Sequence, residues 1–418
     1  MNNAEIKGSH CPTIDEMLHF CCDMGRSLLK NSAEVHRVEE TLTLVMKAYG
    51  YNNTEVFSIP NYLTVDIEHE GVINSKFVRI HSSVNNMNKL VELNNLSYAI
   101  CRCGLSFDEA SDTLYKIINE EGYSTKFLTI MGGAFALAFT VFWGGSLKDC
   151  IIATMAGLLS KYVYINLAKK KSTVCFNNVC SGFVLSILPV IVALMGLSFS
   201  FDKVMIGAIM LLVPGLGITN AIRDILSQDF ITSVARFAEV IIVSLGMGLG
   251  ISLPLIALRN IGNTVSYLGG LSSINFSVIA SFFVCVIYSY LCELKSWKQI
   301  GPSSLCGLVG WIVYLLFEPY MGLFFSSLAG AVAVCLGAEA FARIFKCPAT
   351  VFLVVGIIPM VPGGAIYNAI ASLINSNIDM FVYYLGQVLI VSSAIAVGWA
   401  LMSSLFRLMS YSKQSRIN

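Results

Sequence analysis

Beyond Lys126 this chain has no histidine and very little charge. All five histidines (His10, His19, His36, His69, His81) and 17 of the 26 acidic residues fall within residues 1–125, with 10 of the 27 basic ones. The stretch from there to Asn418 holds nine acids and 17 bases. Only 13% of the whole chain is charged, against roughly a quarter in a soluble domain. Hydrophobic residues make up 56%, and the mean hydropathy is +0.71. So little charge excludes water as the main solvent of the larger part. The net charge of +1 leaves no field to gather nucleic acid or an acidic partner. The start, Met1-Asn2-Asn3-Ala4-Glu5, is polar and lacks the apolar core of a secretory signal.

Metal and enzyme signatures are missing too. No HExxH occurs, no loop cradles a phosphate, and no nucleophile–base constellation stands out. Cys150, Cys285, Cys292, Cys306 and Cys335 lie in apolar runs, where thiols act as small hydrophobes. Cys101 and Cys103 form a CxC with no second pair nearby. The expectation is therefore no metal, no cofactor and no catalytic residue.

What is present is apolar length. A bilayer core about 30 Å thick needs about 20 apolar residues per helix. Ten such stretches are expected, at 127–144, 149–168, 179–199, 204–222 and 236–258, then 274–292, 302–318, 321–341, 350–373 and 381–405. The fold class expected is a polytopic α-helical membrane protein with ten transmembrane helices and an N-terminal α+β cytoplasmic domain. Boundaries fall at 1–125 for that domain, 126–260 for the first five-helix unit and 261–418 for the second. With the N-terminal domain inside, inward-facing segments hold 13 Lys and Arg: Lys126, Lys169, Lys170, Lys171, Arg223, Arg236, Lys295, Lys298, Arg343, Lys346, Arg407, Lys413 and Arg416. The outward-facing ones hold Lys148, Lys203 and Arg259. This bias places both termini in the cytoplasm.

A shift of 148 residues lays the fourth span on the ninth. Val213-Pro214-Gly215 meets Val361-Pro362-Gly363, Asn220-Ala221-Ile222 meets Asn368-Ala369-Ile370, Glu239 meets Gln387 and Gly250 meets Gly398. Gly157-Leu158 against Gly307-Leu308 is a looser echo in the second and seventh spans. An odd number of spans per copy makes the copies inverted, as in many secondary transporters. Pro and Gly both break helices, and broken backbone at membrane depth survives only under cover of protein or a water-filled cavity. Each break would free a helix N-terminus suited to a carboxylate, with Asn220 and Asn368 nearby to hydrogen-bond the substrate. The substrate-binding set expected is Pro214, Gly215, Asn220, Pro362, Gly363 and Asn368. A pair of structural kinks, with the asparagines bonding across helices, is the alternative.

Ionisable groups near the spans each need a reason. Arg223 and Asp224 end the fourth span; Arg236 and Glu239, three apart, open the fifth; Glu339 and Arg343, four apart, close the eighth. Arg223, Arg236 and Arg343 are read as structural ion-pairing partners. Asp224, Glu239 and Glu339 are the candidates for proton coupling. Glu239 is preferred, because its repeat-mate Gln387 is neutral. Lys161, flanked by Tyr162 and Tyr164, is expected to snorkel inward.

In the N-terminal domain the pattern predicts helix over 13–50 with a break near Asn31-Ser32. Strands follow at 55–60, 62–68 and 76–82, then helices at 86–103 and 107–121, the last with Ser106 and Glu109 in capping-box spacing. The polar cluster His36, Arg37, Glu39 and Glu40 is either a solvated helix face, with Arg37 or His36 paired to Glu40, or a ligand site. His36 and His81 belong to the residue type that titrates near neutral pH.

The stretch from Leu212 to Asp224 (LVPGLGITNAIRD), followed by Arg236-Phe-Ala-Glu239, resembles the threonine/serine exporter (ThrE) family. So do Val35-His-Arg-Val-Glu-Glu-Thr41 and Ile358-Pro-Met-Val-Pro-Gly363. The resemblance runs over nearly the whole chain. It implies proton-driven export of small hydrophilic metabolites across the bacterial inner membrane: threonine and serine for fused members such as this one, dicarboxylates such as succinate for split relatives. Ser233 departs from the Gly that many members carry near that position. A passive channel and a membrane-bound enzyme or sensor are the competing classes; neither rings of charge nor a filter repeat speaks for the channel. Partners expected are the bilayer, a small-molecule substrate and protons, with no nucleic acid. Aromatic runs at Phe282-Phe283 and Phe324-Phe325 are open to lipid or to a second copy in a homo-oligomer.

Overall fold

The computed structural model describes residues 12–80, 85–260 and 274–414. His10, His81, Ser82 and Arg416 lie outside the described residues, as do the side chains of Arg259, Arg407 and Lys413. The chain divides into two compact units.

The first unit comprises Met1–Gly122 with two short returns, Cys292–Lys295 and Ala342–Val351. Its helix α1 (Ile14–Lys30) starts from a capping box between Thr13 and Glu16. Asn31 caps its end, Ser32 turns with a positive φ of 66°, and α2 (Val35–Ala48) follows. Strands β1 (Thr54–Ile59), β2 (Tyr62–His69) and β3 (Val72–Arg79) make an antiparallel sheet in that order. Leu63, Val65 and Ile67 alternate along β2 and are wholly buried, so one face of the sheet meets the core. At Gly25 a Cβ would come within 2.5 Å of Leu63 and 2.8 Å of Leu42, which sets the close seat of α1 on the sheet. Strand β3 begins four residues earlier than the sequence pattern predicts. The reason is the two-residue turn Glu70-Gly71, both with positive φ, which brings Val72 opposite His69. Helices α3 (Met87–Cys103) and α4 (Phe107–Asn119) complete the unit, α4 capped by Ser106 Oγ on the Glu109 N–H.

The second unit is helical: α5 (Thr125–Phe142), α6 (Leu147–Lys169), α7 (Val174–Leu194), α8 (Phe201–Ile209), α9 (Gly215–Leu226), α10 (Phe230–Asn260), α11 (Ile274–Leu291), α12 (Trp297–Phe345), α13 (Ala349–Gly356), α14 (Gly363–Ile374) and α15 (Ile378–Gln414). The first residues of α13 and the last of α12 belong to the first unit. Among the described residues six helices are long and apolar enough to cross a membrane, or seven if the bent pair Ala349–Met360 and Gly363–Ile374 is one span. The chain is thus a polytopic membrane protein. The apolar stretches do not all form single rods. The stretches at 302–318 and 321–341 lie in one run, Trp297–Phe345, that is two helices meeting at a kink where Gly322 leaves helical geometry at φ 68°, ψ −179°. At 1.5 Å per residue it would be about 74 Å long if straight, more than twice a bilayer core. The stretches at 204–222 and 350–373 are each two helices meeting at a Pro-Gly step.

One structural carboxylate escaped the sequence reading. Asp149, fully buried, caps α6 by accepting from the Ser146 N–H at 2.7 Å and ties down the loop before α8 through the Ser200 N–H at 2.8 Å.

Candidate functional site

The two breaks have nearly the same backbone. Pro214 sits at φ −81°, ψ 39° and Pro362 at φ −76°, ψ 49°, each as the residue before a helix that no side chain caps. The opening N–H groups of α9 and α14 therefore lack the partner a capping Ser, Thr, Asp or Asn would give them. The breaks also touch. A Cβ on Gly215 would overlap the Val361 side chain, and a Cβ on Gly363 would overlap Met210. Glycine at both positions is what lets the two broken helices cross at their breaks. Helix α9 packs on α10 and α15, while α14 packs on α15 and on α10.

Of the expected binding residues, Pro362, Gly363 and Asn368 are buried, as is Gly215, and Pro214 is half-buried. Among the described residues the buried Asn220 side-chain oxygen has no hydrogen-bond partner, a cost of about 1–3 kcal/mol for a group that could bind a donor. Between the two asparagine-bearing helices lies an apolar cluster of Ile218, Val240 and Val388, with Ile222, Ala365 and Ile366 against it.

At the far end of α9 the pairing differs from the i, i+3 expectation. Arg236 lies 2.8 Å (Nε to Oδ2) from Asp224 rather than serving Glu239, and Arg223 donates to the other Asp224 oxygen from Nη2 at 3.0 Å. The turn between α9 and α10 folds Arg236 back onto Asp224, and Ser233 Oγ fixes that fold by donating to the Ala221 carbonyl at 2.8 Å. The Arg223 guanidinium lies over the Trp399 ring, 4.1 Å from its centroid. Arg223 and Asp224 are 8% and 5% exposed, so the end of α9 holds a buried cation beside a buried carboxylate. Trp399 was missed because nothing in sequence spacing relates it to Arg223. Glu239 is exposed on α10 and within electrostatic reach of Tyr164 on α6. The Lys161 stem packs on Gly132, and its ammonium lies 5.9 Å from the Tyr164 ring centroid. Glu339 is half-buried on α12, and Arg343 is exposed.

The polar cluster of the first unit separates into different tasks. Glu39 accepts from the Ser58 N–H at 2.8 Å and so joins α2 to β1. His36 lies 3.5 Å from Glu34, not against Glu40. Arg37 and Glu40 are exposed. Arg37 lines a cleft with Glu34, Thr41, Asn94 and Thr350, of about 40 Å³. That volume holds a few waters and no amino acid. Among the described residues no group of three His, Cys, Asp or Glu side chains is placed to hold a metal ion.

Comparison with known proteins covers most of the chain. The family model described as a putative threonine/serine exporter matches residues 19–258, and a second, described as threonine/serine exporter, ThrE, matches residues 277–405. A threonine/serine exporter of Corynebacterium glutamicum is 25% identical over 401 residues, covering 91% of this chain and 81% of that protein. A probable threonine/serine exporter of Mycobacterium tuberculosis is 22% identical over 296 residues, 68% of this chain and 55% of its own length. Pheromone-regulated membrane protein 10 of Pichia sorbitophila is 21% identical over 372 residues, 85% of this chain and 37% of that protein. No solved structure matches.

Proposed function

Because the chain belongs to the threonine/serine exporter family, we propose that it exports threonine and serine as a proton-coupled secondary transporter working by alternating access. The observation that carries this reading is the crossing of two broken helices at Gly215 and Gly363. Two uncapped helix N-termini at one place, with Asn220 and Asn368 on the helices they begin, suit a small zwitterion whose carboxylate needs N–H donors.

Ten crossings arise if the helix bent at Gly322 counts as two spans and each Pro-Gly pair counts as one. Five and five then make inverted repeats. Support comes from contacts that recur about 148 residues apart. A Cβ on Gly250 would press on the Val179 carbonyl and the Phe183 N–H; one on Gly398 would press on Ala331 and the Leu328 carbonyl. The central apolar cluster likewise pairs Ile218 with Ile366 and Val240 with Val388. In this reading both termini and the domain at 1–125 are cytoplasmic, in a bacterial inner membrane. The repeats at 126–260 and 261–418 rock about the crossing.

Glu239, Asp224 and Glu339 are the carboxylates assigned to carry the proton in this reading, and Glu239, exposed on α10 and within electrostatic reach of Tyr164, is preferred. The bacterial relatives are named for threonine and serine; dicarboxylate export enters only as an arm of the test. Proteoliposomes loaded with threonine, serine or succinate are given a proton gradient. Faster release of threonine or serine is expected. Release of every solute at a rate indifferent to the gradient would point to a passive channel and end the transporter reading.

A further inference from the structure

The buried ion cluster at the end of α9 meets uncharged residues at the positions 148 further along. Asp224 takes Arg223 on Oδ1, through Nη2 at 3.0 Å and Nε at 3.3 Å, and Arg236 on Oδ2 at 2.8 Å. The Arg236 contact is close without the alignment of a hydrogen bond, so it is the looser of the two. Residues 148 further along are Ala371 for Arg223, Ser372 for Asp224 and Tyr384 for Arg236. The position 148 before Trp399 is Ile251.

Three charges gathered under cover are expensive. Replacing such a set with apolar residues is often neutral or stabilising, so stability alone does not account for it. The set brings two guanidinium groups to one carboxylate, with the Trp399 ring against Arg223. Guanidinium groups present forked donors that match a carboxylate, and a ring beneath one face leaves the N–H edge available. Asp224 is thus an internal carboxylate seated where an external one would fit.

We propose that Arg223, Arg236 and Trp399 form a second carboxylate site at the inner end of the first broken span, where a substrate carboxylate displaces Asp224 and frees α9 from α10 and α15. This rests on the export reading above and on its inward orientation. One carboxylate replaces another, so the exchange leaves no buried guanidinium unpaired. The neutral positions of the second half cannot perform that exchange. A carboxylate is therefore captured at one end of the pathway only, which gives a symmetric scaffold a direction. The ligand class is a small carboxylate; an amino acid qualifies, and its alcohol analogue does not.

Trp399 supplies the readout. The full chain in lipid nanodiscs is titrated with L-threonine, succinate and L-threoninol while tryptophan emission is followed, and the response of Trp399→Phe is subtracted. A saturable difference is expected with threonine and succinate and none with threoninol. Asp224→Asn removes the competitor and should tighten half-saturation by about threefold to tenfold, whereas Arg236→Gln should weaken it by about tenfold or more. A merely structural cluster would lose binding in both variants, and that result overturns the proposal. Should Asp224→Asn fail to fold, Arg236→Lys keeps the charge and loses the fork; a half-saturation unchanged in it also overturns the proposal. Threonine export is measured in the same preparation. Binding without export sinks the transport reading and leaves this site; export with a flat Trp399 signal does the reverse.

Discussion

The two broken spans are alike where the backbone must break and unlike ten residues later. Pro214 and Pro362 adopt nearly the same dihedrals, and the glycine after each takes a neighbour against its bare Cα. Further along, the first half has Arg223 and Asp224 where the second has Ala371 and Ser372. Backbone geometry is shared because two helices can cross at a break only if both present glycine there. Charge is not shared, because nothing in the crossing requires it. The common part builds the machine; the unshared part distinguishes its two ends.

The sharpest way to break the shared part is to fill the crossing. Gly215→Ala puts a methyl group into the space of Val361, and overpacking of this kind costs about 1–3 kcal/mol. Export should fall by about fivefold to a hundredfold, by a barrier increase of that size. Adding Val361→Ala should restore much of it by vacating the space. Gly363→Ala with Met210→Ala should behave in the same way if the halves are equivalent. Transport assays on the four variants decide this: a single substitution that is silent, or a double one that rescues on one side only, would show that the crossing is not a shared device.

The unshared part is probed at Glu239, whose counterpart is Gln387. If Glu239 carries the proton, Glu239→Gln leaves threonine counterflow intact while removing its response to an imposed pH gradient. A protonated carboxyl and an amide are near-isosteres, so the site keeps its shape and loses only the ability to change charge. Parent-like dependence on the gradient in vesicles would take Glu239 out of the coupling scheme and turn attention to Asp224 and Glu339.

These contrasts were unevenly legible in the sequence. Pro-Gly steps inside apolar runs announce broken helices because both residues act on the backbone locally. Alternation of Leu63, Val65 and Ile67 announces β2 for the same kind of reason, while the Glu70-Gly71 turn was passed over and β3 was begun too late. The division of α12 near residue 320 was legible for the same local reason, since Pro319 and Gly322 both disfavour helix and the backbone leaves helical geometry at Gly322. Side-chain partners were the least legible. Spacing along a single helix pairs Arg236 with Glu239, but a turn between helices delivers it to Asp224, and only the packing of α15 brings Trp399 beneath Arg223.

Ser233 offers the finest test of the difference between the halves. Its hydroxyl, 1% exposed, holds α10 to α9 through the Ala221 carbonyl, and the residue 148 further on is Phe381, which has no hydroxyl. Ser233→Ala removes a buried donor and should lower stability by about 1 kcal/mol, the typical worth of one such bond. Because the same bond fixes the turn that carries Arg236 to Asp224, the loss should also raise amide hydrogen exchange across residues 221–236 and leave residues 369–384 unaffected. Exchange that rises equally in both segments would mean that the two ends are mechanically one body, and that the charges distinguish them without separating them.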